Sequence, residues 1–337
     1  MANSPVANTT VNEVKGWWRK SCVVPGRLEG KVAVVTGANT GIGLVTAAEL
    51  ARRGCTVIMA CRNTERAEAA KKQILDKYGQ SNPKNTTMDV ADASVTKYLS
   101  PVTSEQLVLE SLDLDSLKSV REFATRVNSK YPKINYLINN AGLALADYET
   151  TKDGFERTIG VNHLSPFLLT ELLLPNVKNA APNSRIINVS SMVHSWGSLH
   201  KPDLHIPKAE YDLGVAYYQS KLANVMHARE LSRRLQGTGV IVVSLHPGII
   251  NSEFFRQHTS FRYRMIHTFL KPTLISPWLG AQTTIYTVLS ENVVSGQYYD
   301  NCAPKNAATL ALDDAECQWL WNKSCELVGI TKTSDNQ

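Results

Sequence analysis

Tyr217 and Lys221 stand four residues apart in a stretch, residues 213–236, whose apolar spacing predicts a helix. Four residues is a little over one helical turn, so the two side chains share a face and can meet a common ligand. A lysine ammonium beside a phenol favours the phenolate and brings Tyr217 towards use as a general acid or base near neutral pH. The pair alone is a weak signal, because Tyr and Lys also meet at this spacing on ordinary exposed helices.

A second group is Thr36-Gly37-Ala38-Asn39-Thr40-Gly41-Ile42-Gly43. It joins the β-branched run 31–36 (KVAVVT) to a helically spaced segment, 42–53. At such a strand-to-helix turn, backbone N–H groups and the positive end of the helix dipole hold a dinucleotide pyrophosphate, and glycine is needed because a side chain would block the phosphate. A tight turn is the plain alternative; the placement between strand and helix favours binding through Gly37, Asn39, Thr40, Gly41, Ile42 and Gly43. The next apolar run, 56–61, ends at Cys61-Arg62. A NAD-selective site carries an acid there for the ribose 2′-hydroxyl, whereas an arginine accommodates a 2′-phosphate. With no carboxylate and a guanidinium able to bind phosphate through two bonds, NADP(H) is the expected cofactor, against the alternative of a merely solvent-exposed Arg62.

These residues need a frame, and the pattern supplies one. Strand-sized runs at 31–36, 56–61, 107–112, 134–139, 185–189 and 240–246 alternate with helical stretches at 42–53, 64–78, 116–130, 155–177 and 213–236, and a last strand falls near 296–299. The strands are apolar throughout rather than alternating, which implies burial on both faces and hence a parallel sheet between two helical layers. The expected fold is α/β, a Rossmann-type doubly wound parallel sheet in a single domain (29–310). Within it, residues 79–105, polar and holding Pro83 and Pro101, read as a surface insertion. Residues 249–280, with weaker periodicity, read as a short helical substrate cap. Residues 1–28 form an N-terminal tail and 311–337 a C-terminal helix and tail.

Composition bounds the function. The 337 residues are 43% hydrophobic and 20% charged, as in an ordinary globular protein. The net charge of +6 is spread in short pairs such as Arg52-Arg53 and Arg233-Arg234, which argues against nucleic acid as a partner. Six cysteines without a Cys-x-x-Cys pair or interleaved histidine argue against zinc and fit thiols in a reducing compartment. No run approaches the roughly 18 apolar residues that span a bilayer. The first residues are polar and lack the apolar core of a secretory signal. Trp17-Trp18-Arg19-Lys20 suits contact with a membrane interface, with a tail that packs on or frays from the body as the plainer reading.

Taken in order along the chain, these motifs resemble the short-chain dehydrogenase/reductase family, from about Lys31 to Tyr299. The resemblance rests on the glycine turn, Asn139-Asn140-Ala141-Gly142, Gly160-Val161-Asn162-His163, Val189-Ser190-Ser191, Tyr217 to Lys221 and His246-Pro247-Gly248. The wording Asn-Thr-Gly-Ile-Gly, Ala-Cys-Arg, Leu-Asp-Leu and Ser-Lys-Leu-Ala-Asn is most similar to retinol dehydrogenase-like members, a group of membrane-associated or mitochondrial reductases. The resemblance implies that Tyr217 passes a proton to or from the substrate oxygen, Lys221 holds the nicotinamide ribose and tunes Tyr217, and Ser191 bonds the substrate oxygen. It implies that Asn162 sits at a break in its helix and positions a water relaying protons towards Lys221. It places Asp113 and Leu114 beside the adenine, Asn140, Ala141 and Gly142 along the ribose, and Pro247, Gly248 and Ser252 around the carboxamide. Ser190 and Tyr218 are the neighbouring alternatives to Ser191 and Tyr217. His163, His194 and His246 are expected to be structural, since Tyr217 fills the acid–base role.

Three departures stand out: the 79–105 insertion, which could alter the adenine side or an oligomer surface; Ser165-Pro166 where Gly-His is usual; and the lack of the N-terminal anchor common among the retinol enzymes, which argues against an integral membrane protein. The expected function is an NADP(H)-dependent oxidoreductase acting on a lipophilic carbonyl or alcohol such as a retinoid, aldehyde or steroid. It is expected inside the cell, in the cytoplasm or peripheral to an organelle membrane, with a homodimer as one candidate assembly because the last two helices of the sheet commonly make dimers in the family. The competing readings are an NADP(H)-binding regulatory or scaffold protein without turnover, and a peripheral lipid-surface protein using Trp17 and Trp18.

Overall fold

A computed structural model describes residues 13–16, 19–249 and 274–330 of the chain. Trp17, Trp18, Ser252 and most of the expected substrate cap lie outside the described residues. A short antiparallel hairpin, β1 (Val14–Lys15) and β2 (Ser21–Cys22), precedes β3 (Val32–Thr36). Then follow α1 (Gly41–Arg52), β4 (Thr56–Cys61), α2 (Thr64–Tyr78), β5 (Leu107–Ser111), α3 (Leu117–Lys130) and β6 (Tyr136–Asn139). The second half runs through α4 (Arg157–Ile159), α5 (Ser165–Lys178), β7 (Arg185–Val189), α6 (Leu213–Arg234), β8 (Ile241–His246), α7 (Pro277–Leu289), β9 (Tyr298–Asp300), β10 (Ala303–Lys305) and α8 (Asp314–Val328).

Among the described residues β3 to β10 make one eight-stranded sheet in the order β10-β9-β8-β7-β6-β3-β4-β5. All its pairings are parallel except β9 with β10. This is the doubly wound Rossmann-type sheet expected from the continuous apolar strands. One buried cluster, with Phe123, Phe167, Leu222 and Trp321, lies between the sheet and α3, α5, α6 and α8. The other, with Leu50, Met59, Ile74 and Ile285, lies beneath α1, α2 and α7 and takes in Cys22, Val24 and Leu28 from the N-terminal segment. Strand order reverses between β3 and β6, and a ligand crevice opens at such a reversal outside the carboxyl ends of the strands.

The structure differs from the sequence pattern in three places. The helix expected over 155–177 is broken: α4 passes into a π-helical turn at Gly160–Leu164 before α5 begins. Pro166 falls in the first turn of α5, directly after this π-helical turn. The strand expected near 296–299 is β9, and it is not the last: it turns back into an antiparallel β10 through Asn301 and Cys302, both at positive φ. The 79–105 insertion is not a free loop. The fully buried Arg52 guanidinium donates to the carbonyls of Asn85 (3.1 Å), Met88 (2.7 Å) and Asp89 (3.3 Å) and to Glu49 (2.6 Å). Because Arg52 ends α1, this clamps the insertion at the amino-terminal edge of the sheet, at the opposite end from the glycine turn and so away from the adenine side.

Candidate active site

The glycine turn and Asn140-Ala141-Gly142 leave β3 and β6 side by side at the strand-order reversal. Thr36 ties them together: its Oγ1 accepts from the N–H groups of Asn140 (3.0 Å) and Ala141 (2.9 Å), and its carbonyl accepts from Asn140 Nδ2 (2.9 Å). Gly37 and Gly41 have φ of +66° and +57°, the left-handed region in which a side chain is strained. A Cβ on Gly43 would stand 2.4 Å from the Gly37 carbonyl oxygen, so α1 can lie this close to the turn only with glycine there. Cys61, at the end of β4, supports the same turn by accepting from the backbone of Ala38 and Asn39.

The start of α1 suits a bound anion. Thr40, its N-cap, makes no side-chain cap bond, and no acidic residue occupies the first turn, so no side chain competes for the leading N–H groups. A Cβ on Gly41 would meet nothing within 4 Å, which leaves room above the turn. Asn39, Thr40 and Ile42 flank this space. These features fit a dinucleotide at the crevice.

Arg62 follows β4 with an exposed side chain. Beside it, at the end of β5, Asp113 accepts from the Asp115 N–H (3.1 Å) and from Lys152 (2.7 Å). Leu114 is buried in the core, its carbonyl accepting from Ser165 Oγ (2.6 Å).

Further along the crevice α6 brings in Tyr217 and Lys221. Asp212 caps this helix by accepting from the Val215 N–H (3.0 Å). The Tyr217 phenol is hydrogen-bonded to the Ser191 side chain, and Lys221 Nζ lies 5.4 Å from the centre of the Tyr217 ring. Burial pushes the phenol up, with the Ser191 bond pulling the other way. Burial pulls the Lys221 ammonium down to about 8. Lys221 donates to the Val189 carbonyl (3.2 Å), and a Cβ on Gly142 would stand 3.2 Å from its Nζ and 3.3 Å from Asn162 Oδ1.

The two sequence ambiguities have different surroundings. Ser190 is buried and donates to the Lys221 carbonyl (2.6 Å), while Ser191 is the serine bonded to Tyr217. Tyr218 packs edge-on against Trp196, with ring centres 5.6 Å apart. Asn162 lies in the π-helical turn: its Oδ1 accepts from the Leu143 N–H (2.8 Å), and its Nδ2 donates to the Leu143 carbonyl (2.8 Å) and to Ser220 Oγ (3.0 Å). Ser220 in turn donates to the Tyr217 carbonyl (2.8 Å), linking the helix break to the phenol's own backbone.

Pro247 and Gly248 continue β8 at the same end of the sheet, and Gly248, at φ +97°, packs against Ile275. The three histidines are tied into the framework. His194 Nδ1 bonds the Ser191 carbonyl (2.7 Å) and its Nε2 accepts from the Ala308 N–H (3.1 Å); His246 Nδ1 accepts from the Met192 N–H (3.2 Å); His163 Nε2 meets Ser324 Oγ (2.8 Å). Burial holds His163 and His246 down at about 4, so both are neutral near pH 7. Thr36, Cys61 and Ser220 position the site without having been given a site role from the sequence, although each stands inside a quoted motif: the glycine turn, Ala-Cys-Arg and Ser-Lys-Leu-Ala-Asn. Ser190, weighed from the sequence as the alternative to Ser191, is the serine that anchors Lys221.

Comparison with known proteins agrees with this geometry. The short chain dehydrogenase family profile matches residues 31–107 and 100–262. Retinol dehydrogenase 12 of Bos taurus is 41% identical over 311 residues, covering 92% of this chain and 90% of its own. Retinol dehydrogenase 13 of Homo sapiens is 42% identical over 326 residues, covering 93% and 89%. Among solved structures, an uncharacterized protein from Mycobacterium paratuberculosis superposes with a TM-score of 0.67 at 32% identity, covering 91% of this chain and 96% of that one. The Pseudomonas aeruginosa RhlG/NADP complex shares the fold, with a TM-score of 0.60 at 20% identity over 81% of this chain and 95% of that one. The chain belongs to the short-chain dehydrogenase/reductase family, as a retinol dehydrogenase-like member. It is an oxidoreductase of CH–OH and C=O groups that works by hydride transfer with a nicotinamide cofactor.

Proposed function

We propose that this protein is an NADP(H)-dependent reductase of lipophilic carbonyl compounds (retinoids, aldehydes or steroids), with Tyr217 as its general acid and base. The observation that carries the reading is the Tyr217 phenol hydrogen-bonded to Ser191 with the Lys221 ammonium beneath its ring. When bound, the nicotinamide supplies the hydride for reduction or takes it up in oxidation. The remaining chemistry belongs to side chains. Burial keeps the phenol protonated, so Tyr217 can give its proton to the substrate oxygen as charge develops there. Ser191 donates a hydrogen bond to that same oxygen, an effect that is large when the donor is already in place. Lys221 holds the ribose and favours the phenolate left behind, while Asn162 and Ser220 keep the π-helical turn locked to the helix bearing Tyr217.

The cofactor preference rests on Arg62, exposed at the end of β4 where a NAD-selective site places an acid. In this reading Asp113, Asn140, Ala141, Gly142, Pro247 and Gly248 line the rest of the crevice, while Ser252, which the family resemblance assigns to the carboxamide side, lies outside the described residues. Six free cysteines, all buried, support placement inside the cell, in the cytoplasm or against an organelle membrane. No helix among the described residues is long and apolar enough to cross a membrane.

The test is oxidation of NADPH, followed by absorbance, against a panel of retinals, aliphatic aldehydes and steroid ketones, with NADH in parallel. Turnover with NADPH on at least one lipophilic carbonyl is the expected result. NADPH binding without reduction of any panel member would contradict the catalytic reading and favour a regulatory protein.

A further inference from the structure

Strands β4 and β5 end in register, Cys61 opposite Ser111, and the Leu112 N–H donates to the Cys61 carbonyl (3.1 Å). Arg62 and Asp113 therefore leave the sheet as neighbours, a cation and an anion on one corner of the crevice. A third charge arrives from far along the chain. Residues 149–157 fold back onto the β5–α3 corner, where the Lys152 N–H donates to the Asp115 carbonyl (3.0 Å), Asp153 accepts from the Leu117 N–H (2.7 Å) and Arg157 pairs with Asp115 (2.7 Å). These bonds hold the Lys152 ammonium 2.7 Å from Asp113 Oδ2. Lys152 and Arg62 lie close enough to repel, and the Asp113 carboxylate outweighs that repulsion to hold Lys152 up.

Resting on the NADP(H) reading above, we infer that Lys152 is a specificity-determining residue for the phosphorylated cofactor. A ribose 2′-phosphate brings about 1.5 to 2 negative charges, as phosphate monoesters do near pH 7. Arg62 alone would share its corner with the Asp113 carboxylate, and the two charges would nearly cancel. With Lys152 clamped on Asp113 the acid is neutralised, and Arg62, Asp113 and Lys152 together carry one positive charge. NAD(H) has only a hydroxyl at this position and does not sense the difference. The Lys152 side chain is 63% exposed, so its ion pair adds little to folding stability. Its effect is on the charge met by the ligand.

Fluorescence titration of the full chain with NADPH and with NADH, for wild type, Lys152→Gln and Lys152→Arg, tests this without any turnover. In Lys152→Gln we expect the Kd for NADPH to rise by about fivefold, as for the loss of one partly screened charge, and the Kd for NADH to change by less than about twofold. Lys152→Arg keeps the charge and retains the preference, and the gap between wild type and Lys152→Gln narrows as salt is raised. A Kd ratio unchanged in Lys152→Gln, whether both cofactors weaken or neither does, overturns the inference alone. A wild type that binds NADPH and NADH equally overturns the NADP(H) reading and this inference with it.

Discussion

Tyr217 and Lys221 are neighbours whose burial acts in the same sense on both, favouring the neutral phenol and the neutral amine. This has a measurable consequence in the cofactor-free protein. Lys221 titrates at about 8 in the folded state, against about 10.4 in an unfolded chain. Between these values the unfolded chain binds more protons, so stability rises with pH. Tyr217 has the opposite sign: its raised phenol contributes stability below its unfolded value of about 10 and loses it as pH climbs beyond. For denaturant unfolding, the window from pH 8 to 10 lies below that of Tyr217, and comparison with Lys221→Met cancels the buried cysteines that titrate in the same range. The difference between the two proteins therefore isolates the lysine. Wild type should gain about 2 kcal/mol relative to Lys221→Met across this window, and parallel curves would show that Lys221 titrates as if exposed. Ser191→Ala should lower kcat by about 10² to 10³, the usual cost of one preorganised donor, without weakening cofactor binding. The spacing in the sequence selects Tyr217 over Tyr218, because it rests on helix geometry alone. It cannot separate Ser190 from Ser191; that distinction lies in a bond from Ser190 to the Lys221 carbonyl, two elements away.

At the scale of elements, the glycine turn is a fit between α1 and the ends of β3 and β6. Gly43→Ala puts a Cβ 2.4 Å from a carbonyl oxygen and 2.5 Å from Asn140 Nδ2, so α1 must move away from the turn. Calorimetric titration should then show nicotinamide cofactor affinity reduced by roughly tenfold or more, about 1.4 kcal/mol; an unchanged affinity would mean that the turn does not hold the cofactor. Most of the central elements were legible because their patterns are local: β4, α2 and β7 fall on the residues that apolar run length and helical spacing mark out. Apolar spacing over 155–177 gives no sign of the π-helical turn at Gly160–Leu164, although the family resemblance implies a break at Asn162, and the returning β10 was not legible at all. The first depends on the Asn162 side chain reaching Leu143 and Ser220, and the second on two residues at positive φ that are not glycine. Arg52 reads as an ordinary basic helix end, yet it is a buried clamp whose partners arrive more than thirty residues later in the chain.

Across the whole molecule, α8 closes the face formed by α5 and α6. Trp321 meets the rings of Phe167 (4.9 Å) and His227 (5.8 Å), Ser324 bonds His163, Asp314 pairs with Arg229 (2.9 Å) and Arg121 donates to the Val328 carbonyl (2.6 Å). A homodimer through the outer faces of α5 and α6 would have to displace this helix. Trp321→Ala should destabilise the protein by about 3 to 5 kcal/mol in chemical denaturation, the range for emptying a large buried aromatic site; a loss below about 1 kcal/mol would mean that α8 is only loosely docked. The sequence pattern marks a C-terminal helix but not its seat, since only the folded α5 and α6 create the surface it covers. The claim that joins these scales is that the fold exists to present the Tyr217 phenol to a carbonyl oxygen. Its most direct test is Tyr217→Phe, which removes the proton and leaves the ring, with single-turnover reduction and NADPH affinity measured on the same preparation. The account predicts a rate lower by about 10² to 10⁴ with NADPH affinity within about twofold of wild type; a variant that reduces the carbonyl at the wild-type rate would contradict it.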